Sequence, residues 1–411
     1  MSVSIRSFRR AIASAALIAL TACASSAAFA DSFGPALSAV RESKPIIDLR
    51  LRSESVDQDG MSRDAEALTL RARLGFETGK AWNITFLAEG DLITPFESHY
   101  NSTVNGKTSY PVVADAETYE VNRLQLTNTT LPDTTVTFGR QRINLDDQRF
   151  VGNVGWRQNE QTYDGLRAVN KSIRNLTIDV TYFDQVNRVF GKDSAVGRYN
   201  GSNYLANVAY QMPIGKLTGF VYLTDFTEAP RDSAETQGVR FTGERPVQKV
   251  KVAWVASYAR QTEHANNPLD FAEDFYTLEL TGTFRQFSLN AGFEVMEGNG
   301  VRGFSTPLAT LHKFDGWADK FLTTPPNGLE RRYVGLSYTK KGLGILDTLS
   351  ANAVYHRFDS NRLDIHYGSE VDLQVQAKYQ RFNLLLKHAS YDADRFATDT
   401  RKYWLQLDYV W

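Results

Sequence analysis

The 411 residues include 46 Lys+Arg against 47 Asp+Glu, with 24 Phe, 19 Tyr, 6 Trp and one Cys. Basic residues that do not outnumber acidic ones exclude a protein built on phosphate neutralisation, and a lone cysteine excludes a disulfide framework or a thiolate zinc site. The aromatic content excludes a solvated coil although mean hydropathy is −0.36, and beyond residue 30 no run approaches the ~20 apolar residues of a spanning helix.

Residues 1–30 read as a secretory signal peptide. Arg6, Arg9 and Arg10 precede the apolar run Ala11 to Leu20, and Ala28-Phe29-Ala30 offers an A-x-A cleavage site before Asp31. Leu20-Thr21-Ala22-Cys23 also resembles a lipoprotein lipobox, in which Cys23 would be acylated, although a body that inserts by itself needs no such anchor. Either route takes the chain out of a bacterial cytoplasm. Without the three arginines the mature chain carries 43 basic and 47 acidic residues, a net charge near −4.

Residues 31–411 form one domain that repeats segments of about ten residues with period two, the signature of strands with one apolar and one polar face. Leu68, Leu70, Ala72, Leu74 and Phe76 alternate with Thr69, Arg71 and Arg73; Val371, Leu373, Val375 and Ala377 alternate with Glu370, Asp372 and Gln374. Roughly 18 such segments centre near residues 50, 70, 86, 122, 138, 166, 179, 207, 221, 240, 254, 279, 291, 335, 353, 373, 386 and 406. Short links (Thr78-Gly79-Lys80, Leu131-Pro132-Asp133, Gln380-Arg381) alternate with long ones (92–116, 144–159, 184–201, 298–329). That alternation fits an all-β transmembrane antiparallel barrel of about 18 strands, with short periplasmic turns and long outer loops, in the bacterial outer membrane. Trp82, Tyr119, Tyr182, Tyr204, Tyr338, Tyr355 and Tyr379 near strand ends suit interfacial girdles, and the final strand ends on Trp411. A large soluble β protein would have to explain charge-free rows such as Leu176, Ile178, Val180 and Tyr182.

Parity turns Arg50, Arg52, Arg71, Arg73, Arg123 and Arg167 into the lumen early in the chain, and Glu279, Glu294, Glu370, Asp372 and Asp408 late in it. Closure of the last strand on the first predicts a basic wall facing an acidic one, a field that attracts and orients anions. The densest polar segment, 139–159, holds Arg140, Arg142, Arg149 and Arg157 with Asp146 and Asp147, and suits a loop folded into the pore mouth. Alternation after Val136 and Phe138 would put Arg140 and Arg142 on the lipid side, so a bulge is expected near Gly139, or a strand already clear of the bilayer.

This segment, continued by Glu160-Gln161-Thr162-Tyr163-Asp164-Gly165, resembles the signature of the alginate export family of outer-membrane porins, and 304–321 is similar to a second block of that family. The resemblance implies a monomeric 18-stranded barrel passing a polyuronate. Arg140, Arg142, Arg149 and Arg157 would then form a positive constriction that Asp146 and Asp147 hold by ion pairs. The link 379–382 departs from the family, being a tight turn where its alginate exporter has a long periplasmic loop.

No HExxH or GxSxG occurs among the scattered histidines, so no enzyme is read from the chain and no cofactor is implied. His356 and His366 flank one outer loop and read as exposed. Asn144, Asp146 and Asp147 read as partners of Arg142 or Arg149 rather than a calcium site. Leu311, Phe314, Trp317 and Phe321 recur at helical spacing in the long seventh outer loop. The function expected is a passive channel for anionic saccharides, exporting an acidic exopolysaccharide; the alternative is uptake of acidic oligosaccharides or small anions. Its partners would be the saccharide, outer-membrane lipid and a periplasmic export or uptake component, with no nucleic acid.

Overall fold

A computed structural model describes residues 27–411; the expected signal sequence up to residue 26, with Cys23, lies outside the described residues. A helix that the sequence did not announce, α1 (Ala27–Arg41), comes first. Its C-terminal end docks on the first inner turn, where the Ala39 carbonyl accepts the Gly79 N–H at 2.8 Å. A Cβ at Gly79 would stand 2.7 Å from Glu42 Oε2, so close approach is what that glycine provides.

Eighteen strands follow. They are β1 (Lys44–Gln58), β2 (Ala65–Glu77), β3 (Ile84–His99), β4 (Thr118–Asn128), β5 (Thr134–Gln141), β6 (Thr162–Asn170), β7 (Leu176–Asn187), β8 (Arg198–Met212) and β9 (Gly215–Leu223). The second half comprises β10 (Ala234–Val247), β11 (Val250–Glu263), β12 (Ala272–Phe284), β13 (Phe287–Met296), β14 (Leu329–Leu343), β15 (Leu346–Asp359), β16 (His366–Tyr379), β17 (Phe382–Ala393) and β18 (Thr400–Val410). Each expected centre falls inside one strand. Every strand pairs antiparallel with the next, and β18 closes on β1 from Asp48↔Val410 to Gln58↔Thr400. Closure leaves no unpaired edge, the condition for a sheet in hydrocarbon.

The two faces separate as the alternation requires. Leu74, Leu278, Leu336, Val375 and Leu405 are exposed on the outside, whereas Arg71, Glu294, Asp372 and Gln406 are buried within. Trp82, Tyr119, Tyr204 and Tyr355 stand exposed on the outer surface, as interfacial rings do. Inner turns are as short as two residues, at 248–249, 285–286 and 380–381, with left-handed Gln248, Arg285 and Gln380. The second outer loop is shorter than expected because β3 continues to His99.

Two outer loops, L3 (142–161) and L7 (297–328), turn into the barrel and pair with each other at Val151↔Leu308. Inward-facing aromatics receive them. Phe150 of L3 lies 5.1 Å from both Phe220 and Phe275, and Phe321 of L7 lies 4.4 Å from Phe358. The hydrophobic core is therefore inside the outer half of the barrel. The expected L7 helix is reduced to a 3-10 turn, Leu311–Lys313; Phe314 and Phe321 are buried by the wall, so their spacing reflects packing, not a helix.

Candidate functional site

The inward arginines are present where parity placed them, but each meets a carboxylate. On adjacent strands Arg73 and Asp91 are register partners, and Arg73 Nη2 lies 2.7 Å from Asp91 Oδ2. Arg71 reaches Asp48 at 2.5 Å, Arg123 reaches Glu89 at 2.6 Å, Arg167 reaches Asp179 at 2.5 Å and Arg50 reaches Asp408 at 2.8 Å. The expected basic wall is thus a mixed one, because residues of opposite charge meet across neighbouring strands.

L3 adds to this wall. Arg142 Nε donates to Glu160 Oε1 at 2.5 Å, and its Nη2 lies 3.3 Å from Glu89 Oε1. Glu160 also lies 3.3 Å from Arg73 and accepts from Asn122 and Asn153. Glu89 and Glu160 are residues of this cluster that sequence reasoning missed; parity within β3 places Glu89 inward, but nothing local marks Glu160 as the hub. Exposure divides these pairs unevenly. The Arg142 side chain is 28% exposed against 1% for Glu160, and Arg123 is 17% exposed against 1% for Glu89. Further round, Arg167 is 23% against 11% for Asp179, and Lys216 is 40% against 12% for Asp146. Carboxylates lie behind and cations face the remaining water, so pairs that are neutral in sum present a basic surface from β4 to β9. Arg71–Asp48 and Arg240–Asp147 run the other way.

The other motif residues have different positions. Arg140 remains on the outer face beside Val121, Leu124 and Phe138, where its guanidinium forks onto Asp164 at 2.7 Å and donates to Val121 O. Gly139 has a left-handed φ of 108°, yet β5 keeps register with both neighbours. The bulges fall instead at Glu89/Gly90 and Asp164/Gly165, and with no slip in β5 nothing turns Arg140 inward. Arg149 is buried, with Nη2 2.9 Å from Glu294 and 3.1 Å from Asp315. Arg157 is buried too, held by Glu54 at 3.2 Å and Asp319 at 3.0 Å. Both tie L3 to L7 and the wall. Burial works against the charge of each, but the adjacent carboxylates carry both pKa values above the ordinary arginine range. Asp315 is pushed up to about 6 by burial, with Glu294 adding to it.

Asp146 and Asp147 do anchor L3, but not to its own arginine side chains. Asp146 pairs with Lys216 at 3.1 Å and Asp147 with Arg240 at 2.8 Å; Asp147 also accepts the backbone N–H of Arg149. The late carboxylates are similarly occupied. Glu370 accepts the Ala318 N–H at 2.7 Å and Asp372 the Trp317 N–H at 3.3 Å, which fixes L7 on β16. His356 is not an exposed loop residue: it is buried, with Nε2 3.3 Å from Asp372, since it follows outward-facing Tyr355. His366 pairs with Asp359 at 2.8 Å. The expected field from a basic to an acidic wall therefore reduces to local contacts: Asp408 pairs with Arg50 and Glu294 with Arg149, while Glu370 and Asp372 hold L7.

No protein-family model and no curated protein matches this chain. Solved structures do. Pseudomonas aeruginosa OccK9 (OpdG) is 14% identical with a TM-score of 0.72, covering 91% of this chain and 99% of that one. Acinetobacter baumannii OccAB4 is 16% identical with a TM-score of 0.68, covering 90% and 98%. Pseudomonas aeruginosa OpdK, solved with vanillate, is 14% identical with a TM-score of 0.69, again covering 90% and 98%. At these identities the likeness is one of fold: the closed 18-stranded barrel seen here is similar to that of the Pseudomonas aeruginosa outer membrane protein OpdK.

Proposed function

We propose that this barrel is a passive uptake channel for small anionic solutes, carboxylates above all. The observation that carries the reading is the unequal exposure within the ion pairs. Arg123, Arg142, Arg167 and Lys216 offer a cationic face to water while Glu89, Glu160, Asp179 and Asp146 lie behind them. A guanidinium held by one carboxylate still has donors for a second, and its planar fork matches a passing carboxylate. The complex of OpdK with vanillate, a small aromatic carboxylate, supports the same class of solute. Filling of the outer half of the lumen by L3 and L7 favours small solutes over a polymer.

Export of an alginate-like polyuronate is the second reading; it rests on the resemblance over 139–165, of whose four arginines Arg142 alone joins the water-facing cations. Planar bilayers separate the two. With a gradient of a sodium aromatic carboxylate, the uptake reading expects a zero-current potential set by the anion. The export reading expects a uronate oligomer added to the inner side to interrupt the current at lower concentration than the small carboxylate does. A zero-current potential set by sodium excludes both.

A further inference from the structure

Between L3, L7, the second outer loop (100–117) and the fourth (188–197) lies a cavity of about 290 Å³. It is separate from the Arg123–Arg142 wall, and its lining is divided. Val112, Val154, Phe190, Leu311 and Leu322 supply apolar lining. Arg157, Arg188, Lys320 and Lys402 bring cations to it, against Asp319. Two of these are spent, since Arg157 and Lys402 both lie on Asp319, at 3.0 and 2.9 Å.

The other two have no ion pair among the described residues. Lys320 Nζ donates to the neutral Gln58 Oε1 at 3.1 Å, and Arg188 donates to the Val196 carbonyl while its guanidinium stacks 4.1 Å from Tyr199. Half-buried cations without a counter-ion are costly in an apolar surround. They are stabilised when an anion enters, and the apolar residues lining the same cavity select an anion with an apolar body. Pockets of a few hundred Å³ with a few convergent polar groups are the usual form of small-molecule sites.

We propose that this cavity is a capture site at the outer mouth for a small monocarboxylate with an aromatic or branched apolar body. Lys320 is the charge partner of its carboxylate and Arg188 the second donor. The proposal rests on the reading of the barrel as a channel for small anions and adds to it a binding step before the wall. Burial, with the charge of Lys402 adding to it, lowers Lys320 to about 8, while Asp319 and Glu370 act the other way. Lys320 is thus protonated at neutral pH, and capture weakens as pH rises through about 8.

The test is calorimetric titration of the whole detergent-solubilised protein with benzoate and with benzamide, its neutral isostere. Benzoate is expected to bind at pH 7 and benzamide not. Lys320→Met should weaken benzoate at least tenfold and Lys320→Arg should restore most of it. Arg188→Met is the second variant, expected to weaken binding several-fold, and retention of heat-modifiable gel mobility verifies folding in each. Equal binding of the two probes, no benzoate binding, or an unchanged affinity in Lys320→Met and Arg188→Met overturns the site. Ion selectivity is read separately on the wild-type barrel: benzoate capture without anion preference overturns the channel reading alone, and anion preference without capture overturns the site alone.

Discussion

Arg142→Ala removes the most exposed guanidinium of the basic wall, one with 28% of its side chain open. A carboxylate brought to ~4 Å of a guanidinium gains about 1 kcal/mol in bulk water and about 4 kcal/mol at the effective dielectric of a protein surface. One side of Arg142 meets water and the other meets Glu89 and Glu160, so the lower part of that span applies. A loss of ~1–2 kcal/mol corresponds to roughly a 5- to 30-fold fall in the anion-to-cation permeability ratio. Removing the cation also uncovers the Glu160 charge, which acts in the same direction. The assay is the zero-current potential across a planar bilayer under a salt gradient. Arg142→Lys should retain most of the preference. Arg140→Ala, on the outer face and committed to Asp164, should leave the ratio within twofold. A shift below twofold for Arg142→Ala, together with a large shift for Arg140→Ala, would refute the assignment of faces and the role of the wall.

Raising ionic strength from 0.1 to 1 M shortens the Debye length from about 10 to 3 Å, so anion preference should decline steeply over that range; a preference independent of salt would point to sieving by size. Gly316→Ala places a Cβ 2.3 Å from Glu370 Oε2 at a φ of +82°, and a left-handed alanine alone costs about 1–2 kcal/mol. L7 should lift off β16, read as larger or noisier single-channel currents, and unaltered currents would contradict the latch. Leu278 is 55% exposed midway along β12, and Leu278→Arg on a lipid-facing row should cost ~2–4 kcal/mol in folding into lipid vesicles. A neutral result there would mean that this face does not meet hydrocarbon.

Strand number, closure and the assignment of faces were legible in the sequence because period two is a covalent property of extended chain and a bilayer enforces it along every strand. The rule extended further than it was applied: His356 follows outward Tyr355 and so had to face the lumen. What lay beyond reach was partnership. Arg73 meets Asp91 through a register fixed only when β2 pairs with β3, and Arg149 meets Glu294 and Asp315 because L3 and L7 both fold inward. Local composition marks 139–159 as charged, but not which of its arginines face water. Arg142 does and Arg149 does not, since the aromatic core around Phe150 draws that part of L3 against the wall. Motif similarity grouped Arg140 with them, whereas its own strand held it outside.

A cationic lumen surface should admit small anions ahead of neutral and cationic solutes of the same size. Swelling of proteoliposomes in isosmotic solutions of benzoate, benzamide and benzylammonium, three solutes of nearly equal size, measures that preference directly. Swelling is predicted to be fastest with benzoate and slowest with benzylammonium, and the order of benzoate and benzylammonium should not depend on pore diameter. Equal rates for the three, or benzylammonium ahead of benzoate, would contradict the account.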